Sequence, residues 1–252
     1  MVDQSEAQQI FMVDSELNKI RDYDLLLERV LLEARRITNA DAGSIYVKDN
    51  DSIVIKFAQN DTLQQRLPPG EKQAYPHFTI PINKHSISGY VAETGELLNL
   101  HDVYKLPADA PYSYSTRFDE SSGYKSTSML TVPLKTQNGV VLGVIQIINA
   151  RDQDGEVVPF SQNDEYVVTH FAANATVALQ RAYMTRAMII RMIRMAELRD
   201  PKETGAHVNR VAGYAVELYE RWAFKRGIAK EQIDKEKDLF KLAAMLHDVG
   251  KV

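Results

Sequence analysis

Ser122-Gly123-Tyr124-Lys125-Ser126-Thr127-Ser128-Met129-Leu130-Thr131-Val132-Pro133-Leu134 passes from a polar, glycine-marked loop into an apolar strand. Met129–Leu134 and Val140–Ile148 read as two strands joined through Gln137-Asn138-Gly139, where Asn and Gly supply the backbone freedom a tight hairpin needs. Strands joined by so short a turn run antiparallel, so the core is predicted to be an antiparallel sheet flanked by helices. Upstream, Ser44–Val47 and Ile53–Phe57 read as strands around the polar turn Asp49-Asn50-Asp51, and Phe78–Ile82 as a further short one. Before them, Leu27, Val30, Leu31, Ala34 and Ile37 recur at helical spacing between Asp24 and Thr38. Residues 6–20 are polar with scattered apolar positions and are predicted as one exposed helix. Ile87–Glu93 reads as a short helix that Gly95 ends. Residues 101–124, with Tyr104, Tyr112, Tyr114 and Tyr124, form a connection beyond the ~15 residues usual in compact domains, which points to a functional loop.

Downstream, the sequence between Pro159 and Pro201 contains neither Gly nor Pro. A single helix about 55 Å long follows from ~1.5 Å per residue, with Ser161 and Asp164 as a capping box at its start. Met184, Met188, Met192 and Met195 stripe its distal part. The stripe suits either adaptable core packing or the seam of a homodimer formed through this connecting helix.

Composition narrows the functional classes. With 252 residues, 44% of them hydrophobic and 25% charged, the chain can bury a real core. A net charge of -4 argues against a general nucleic-acid or anionic-membrane binder. No apolar run approaches the ~18 residues of a membrane span, and Met1 opens onto polar residues, so no membrane association is expected. The absence of cysteine fits a cytoplasmic setting and excludes disulfides, cysteine nucleophiles and thiolate metal sites. Any metal must be held by His, Asp, Glu or water.

Ser88-Gly89-Tyr90-Val91-Ala92-Glu93-Thr94-Gly95-Glu96, followed by Leu98-Asn99-Leu100, resembles the GAF family of small-molecule sensors, as does the Ser122–Leu134 stretch. The resemblance runs from about residue 22 to 182 and implies an α+β fold. Within the family the chain is most similar to domains that bind cyclic purine mononucleotides, through Asn149, Phe160, Asp164 and Glu165. It departs from their pattern at Ala150, where those domains carry a lysine that pairs with the aspartate; Arg151 is displaced by one residue but could still reach Asp164. Asp164 with Ser161 reads more simply as a helix cap. A pocket between the sheet and the 101–124 loop is expected to take cyclic AMP or cyclic GMP, with Ser44, Asp119, Tyr124 and Thr127 as further ligand-binding candidates.

Near the C-terminus, Glu197-Leu198-Arg199-Asp200-Pro201 is followed by Glu203 and His207, and later by Leu246-His247-Asp248-Val249-Gly250-Lys251. Glu203 and His207, four apart, share a helical face, although Asp200, Pro201 and Glu203 also make a plain capping pattern. An adjacent His-Asp pair ending an apolar helix brings two strong metal ligands to a buried edge. These residues resemble the HD phosphohydrolase superfamily, specifically its HD-GYP branch, which hydrolyses cyclic di-GMP and related cyclic dinucleotides. The resemblance implies Glu203, His207, His247 and Asp248 as ligands of divalent iron or manganese, and Lys251 as a catalytic residue at the phosphate. The branch's remaining ligands would lie past Val252, so the stretch 200–252 is expected to be an incomplete, inactive all-α HD domain. Within it, Val211, Ala215, Leu218 and Trp222 on one helix are expected to pack on Leu239, Leu242, Ala243 and Leu246 of another.

The predicted order is thus an N-terminal helix (1–21), a sensor domain (22–182), a connecting helix (183–199) and the HD part (200–252). The function expected is a signalling protein whose sensor regulates a cyclic-dinucleotide phosphodiesterase. The alternatives are a non-catalytic sensor or dimerisation module, and another HD nucleotide phosphohydrolase.

Overall fold

A computed structural model describes residues 12–17, 19–20, 22–68, 70–71, 78–199 and 205–246. The chain divides into two compact units, Met1–Gln180 and Arg181–Val252. In the first, helix α1 (Tyr23–Ile37) starts where the Asp22 carboxylate accepts a hydrogen bond from the Leu25 N–H. Leu27, Val30, Leu31 and Ala34 are fully buried, as their spacing predicts. Residues 12–17 are helical, but they are not wholly exposed as expected. Val13 and Leu17, four apart, enter the same core.

Strands β1 (Ala40–Asp49) and β2 (Ser52–Asn60) form a hairpin through Asn50, which takes the left-handed φ of 52°. Short helix α2 (Asp61–Gln64) follows, then β3 (Thr79–Pro81), helix α3 (Ile87–Thr94), β4 (Leu98–Leu100) and helix α4 (Arg117–Ser122). Strands β5 (Met129–Lys135), β6 (Val141–Arg151) and β7 (Val157–Val158) complete one sheet, in the order β3-β2-β1-β6-β5-β4 with β7 beside β6. Each pairing is antiparallel. Strands β4 and β7 are too short to leave a periodic signal, and α4 interrupts what the sequence presents as one continuous loop.

Period-two alternation splits the sheet into two chemically different faces. In register across the centre, Ile45, Ile145 and Val132 point to one side, while Ser44, Gln146 and Thr131 point to the other. The first set joins α1 and the opening half of helix α5 (Gln162–Arg199), where Val168, Phe171, Ala175 and Leu179 are buried. Each large side chain sealed there, such as Phe171 or Leu31, contributes about 1.5–3 kcal/mol. The second set, more polar, faces away from these helices and forms the floor of a cavity.

In the second unit, α6 (Gly205–Lys225) and α7 (Lys230–Met245) form a helical hairpin. Ala212, Ala223 and Ile233 are buried, and the Tyr219 ring stacks on Phe240. The predicted packing face is only partly used. Leu218, Trp222 and Leu239 are 68%, 50% and 70% exposed, because Tyr219 and Ala223, one position round the helix, make the contact instead. Along the Arg181–Arg199 part of α5, Met184, Met188 and Met192 are exposed.

Candidate functional site

A cavity of about 510 Å³ lies on the polar face of the sheet. Its floor is Ser44 and Tyr46 of β1, Met129 of β5, and Gln146 and Ile148 of β6. Ile55, Ala58 and Gln59 of β2 form one wall, and Ser86, Ile87 and Ser88 at the start of α3 form the opposite one. Residues 113–115 with Arg117 and Phe118 cross above, and Tyr124 and Ser126 close the end. The volume falls in the ordinary range for small-molecule sites, about 300–1,000 Å³, and the mix of apolar walls with a few placed polar groups is typical of them. Arg117 is the one charged residue among the described residues that line it.

Each polar group is held for a reason. Ser86 caps α3, its Oγ accepting from the Gly89 N–H at 3.1 Å, which leaves the first turn of that helix at the cavity edge. Gly89 permits this approach, since a Cβ there would sit 2.6 Å from the Pro81 carbonyl oxygen. On the floor, the Gln146 Nε2 donates to Thr131 Oγ1 at 3.0 Å and Ser88 Oγ at 3.1 Å, and lies 3.1 Å from the Met129 sulfur. A thioether only accepts, so the amide nitrogen faces it and the amide oxygen keeps its acceptor capacity for a ligand.

Tyr124 is buried, its hydroxyl accepting from Asn149 Nδ2 at 2.9 Å. Burial first, then the neighbouring Asp41 charge, raise its pKa far above the ordinary phenol value. Asn149 also donates to the Lys125 carbonyl at 2.8 Å and accepts from the Thr127 N–H at 2.7 Å, while its backbone takes φ 57°. Asp119 is buried and accepts from Tyr104 Oη (2.6 Å), Tyr114 Oη (2.8 Å), and the N–H and Oγ of Ser126 (2.8 and 3.0 Å). The bond to Asp119 is the main reason the Tyr104 phenol is pushed up to about 12. Burial chiefly, aided by the same carboxylate, raises Tyr114 as well.

Of the residues singled out by sequence, Ser44 and Tyr124 line the cavity. Asp119, Thr127 and Asn149 stand just behind its end wall, bonded to each other's neighbours as described. Phe160 packs in the helix-side core. Asp164 accepts from the Ser161 N–H and Oγ at 2.7 and 2.8 Å, completing the helix cap. Glu165 accepts from Asn99 Nδ2 at 2.7 Å. Arg151 does not reach Asp164, the possibility its one-residue shift left open. It leaves the other face of β6, where its Nη2 pairs with Asp41 at 2.8 Å and donates to Thr62 at 2.7 Å, while Ala150 turns into the core. Glu203, His247, Asp248 and Lys251 lie outside the described residues, and His207 lies in α6 with its side chain outside them. Sequence reasoning missed Gln146 and Ser88. A polar residue at an inward position of an otherwise apolar strand was the available signal for Gln146.

The domain is thus a curled antiparallel sheet with helices on one face and, on the other, a roofed cavity of small-molecule size. Residues 22–179 match the GAF domain family, and the chain belongs to it. A stretch of 175 residues is 29% identical to the dual 3',5'-cyclic-AMP and -GMP phosphodiesterase 11A of Takifugu rubripes. That stretch is 66% of this chain but only 18% of the relative's length. The fold is shared with the GAF domain of a phosphoenolpyruvate-protein phosphotransferase from Coxiella burnetii (TM-score 0.55, 19% identity, 72% of this chain and 96% of that one). The corresponding Acinetobacter domain gives the same TM-score of 0.55 at 16% identity, over 74% and 99% of the two chains. No helix among the described residues is long and apolar enough to cross a membrane.

Proposed function

We propose that the first unit is a sensor for a cyclic purine mononucleotide, cyclic AMP or cyclic GMP, bound in the roofed cavity. The observation that carries this reading is the cavity's polarity. It offers an apolar slot for a flat base, an amide oxygen at Gln146 for a base N–H, and two places for a single anionic group, the first turn of α3 and Arg117. The likeness to a phosphodiesterase whose name specifies both cyclic nucleotides supports the same choice. Thermal unfolding of the full chain tests it. Either nucleotide, at a hundredfold excess over its dissociation constant, should stabilise the first unit by about 2.7 kcal/mol. No shift with either nucleotide sinks the reading.

A second reading has its own support. Asp164 caps a helix, and the pattern's lysine position is Ala150, buried in the core, while Arg151 beside it pairs with Asp41, so the lysine–aspartate pair of the cyclic-nucleotide pattern is not made here. This favours a sensor-type module that organises the protein without that ligand, and the absence of any thermal shift would select it.

For the second unit, the proposal is an HD-GYP-type phosphohydrolase region, regulated by the sensor. It rests on the sequence pattern of Glu203, His207, His247-Asp248 and Lys251. These are hard and borderline ligands suited to iron or manganese. Titration of the purified chain with manganese, set against His247→Ala, tests it. Binding that is undetectable in the wild-type chain, or of equal affinity in both, would overturn the assignment.

A further inference from the structure

We infer that Asp119 is a positioning residue that latches a lid over the cavity, and that it sets how fast a ligand leaves rather than touching the ligand. The cavity roof is continuous with a strand-less segment, residues 102–116, that joins the sheet edge to α4. Two kinds of pin hold it. At one, Ser113 gives its N–H and its hydroxyl to the His85 carbonyl, at 3.3 and 2.7 Å. At the other, Tyr104 and Tyr114, ten residues apart and in edge-to-face contact at 5.5 Å, both donate to the Asp119 carboxylate.

The Asp119 carboxylate is saturated. Each oxygen accepts two donors, one from the lid and one from Ser126, the residue where the chain re-enters the sheet. A carboxylate with four donors already in place has no lone-pair direction left for a ligand, and it does not line the cavity. Tyr114 and Ser126, which it holds, do line the cavity. The same carboxylate therefore joins the roof to the floor-side chain at one point. Its negative charge is compensated by hydroxyl and N–H dipoles that are lost together when the roof lifts. Bonds of this charge-assisted kind are the strong ones, which makes the closed roof one cooperative state instead of a series of weak loop contacts.

Tyr104 provides the decisive test, because it contacts Asp119 without lining the cavity. Tyr104→Phe removes one hydroxyl and keeps the ring, and Asp119→Asn removes the charge at constant shape. In the full chain without ligand, amide exchange at Val103, Ser113 and Ser126 should quicken in both variants on the order of tenfold, with α1 and the β5–β6 hairpin unchanged. Unchanged exchange at those three amides overturns the latch. So does equal acceleration throughout the unit, which would make Asp119 a general support of the fold. The kinetic arm rests on the cyclic-nucleotide reading. With cyclic AMP or cyclic GMP as the probe, both variants should release nucleotide about tenfold faster. Unaltered release alongside faster amide exchange would also refute the control of ligand exit. A wild-type chain that binds neither nucleotide refutes the ligand reading instead, and the exchange measurement still decides the latch.

Discussion

Replacing Arg35 by methionine tests how the cavity wall is tied to the helix layer. Arg35 sits in the last turn of α1, yet its side chain is only 4% exposed. It reaches round the sheet edge and donates to the Asp41 carbonyl at 2.7 Å and to Gln59 Oε1 at 2.9 Å, and pairs with Asp61 at 2.6 Å. Gln59 lines the cavity. Methionine keeps the apolar stem that packs near Gly43 but strands both acceptors. The Asp41 carbonyl, left unpaired in a buried setting, costs about 1–3 kcal/mol, and the part-buried Gln59, which can turn to the cavity, costs less. The Asp61 partner is mostly solvated, so that pair adds less than ~1 kcal/mol. Losing the Arg35 Nε, which has no partner, offsets part of the cost. The net loss should be about 2–3 kcal/mol, or a fall of about 1 M or more in urea midpoint at an m of ~2 kcal/mol/M. Urea unfolding of the full chain, followed by near-UV ellipticity, to which the buried Tyr46 and Tyr124 contribute, measures it. Arg35→Lys should fall between, since an ammonium cannot fork to three acceptors. A midpoint shift smaller than ~0.3 M for the methionine variant would show that the buried guanidinium contributes no net stability.

Other outcomes follow from the same geometry. Tyrosinate absorbance should show Tyr104 titrating late. Its folded pKa lies above its unfolded value, so its contribution to stability is complete below about pH 10 and is lost as pH rises through about 12. Asp119→Asn should bring that titration back toward the ordinary value, and a titration curve that does not respond to this change would break the assignment. Exposed Met184, Met188 and Met192 are expected to form a homodimer seam, so Met188→Glu should shift the chain toward monomer in light scattering. A wild-type chain that is already monomeric ends that idea. Trp222, the single tryptophan, is half exposed, so its emission should be solvent-like and readily quenched by iodide. Strongly blue-shifted, protected emission would mean that something covers that face of α6.

The elements that carried a long periodic signal were readable from the sequence: α1 from Leu27, Val30, Leu31 and Ala34, the β5–β6 hairpin from Asn138-Gly139, and α5 from its lack of Gly and Pro. Boundaries came out short, because strand ends such as Ala40–Gly43 and Asn149–Arg151 are polar or small and owe their conformation to pairing across the sheet. The cavity was legible only in part. Ser44 and Tyr124 stand at positions where a loop or strand faces the pocket. Gln146 shows locally only as a lone polar residue in an apolar strand, and its partners Ser44 and Thr131 are set by the register that relates β6 to β1 and β5. The direction of Arg151, by contrast, follows from local alternation alone, since moving one residue along a strand sends a side chain through to the opposite face. Arg35 illustrates the reverse failure. An arginine four residues after Leu31 on a helix looks like a solvated flank, and only the sheet edge it meets explains its burial.

The backbone of Asn149 has a consequence for which residues evolution can place there. Two demands meet at this position, and they select different amino acids. The left-handed φ of 57° is met most cheaply by glycine, but glycine would abandon three bonds: those to the Thr127 N–H, the Lys125 carbonyl and the Tyr124 hydroxyl. Aspartate tolerates the same backbone and could accept from Thr127, yet it would aim a second oxygen at the Lys125 carbonyl, setting lone pair against lone pair. Glutamine and histidine carry suitable atoms on stems of the wrong length. Only a carboxamide one methylene from the main chain satisfies the torsion and all three partners. Random substitution at codon 149 should therefore return asparagine nearly alone among variants that keep the end wall of the cavity intact.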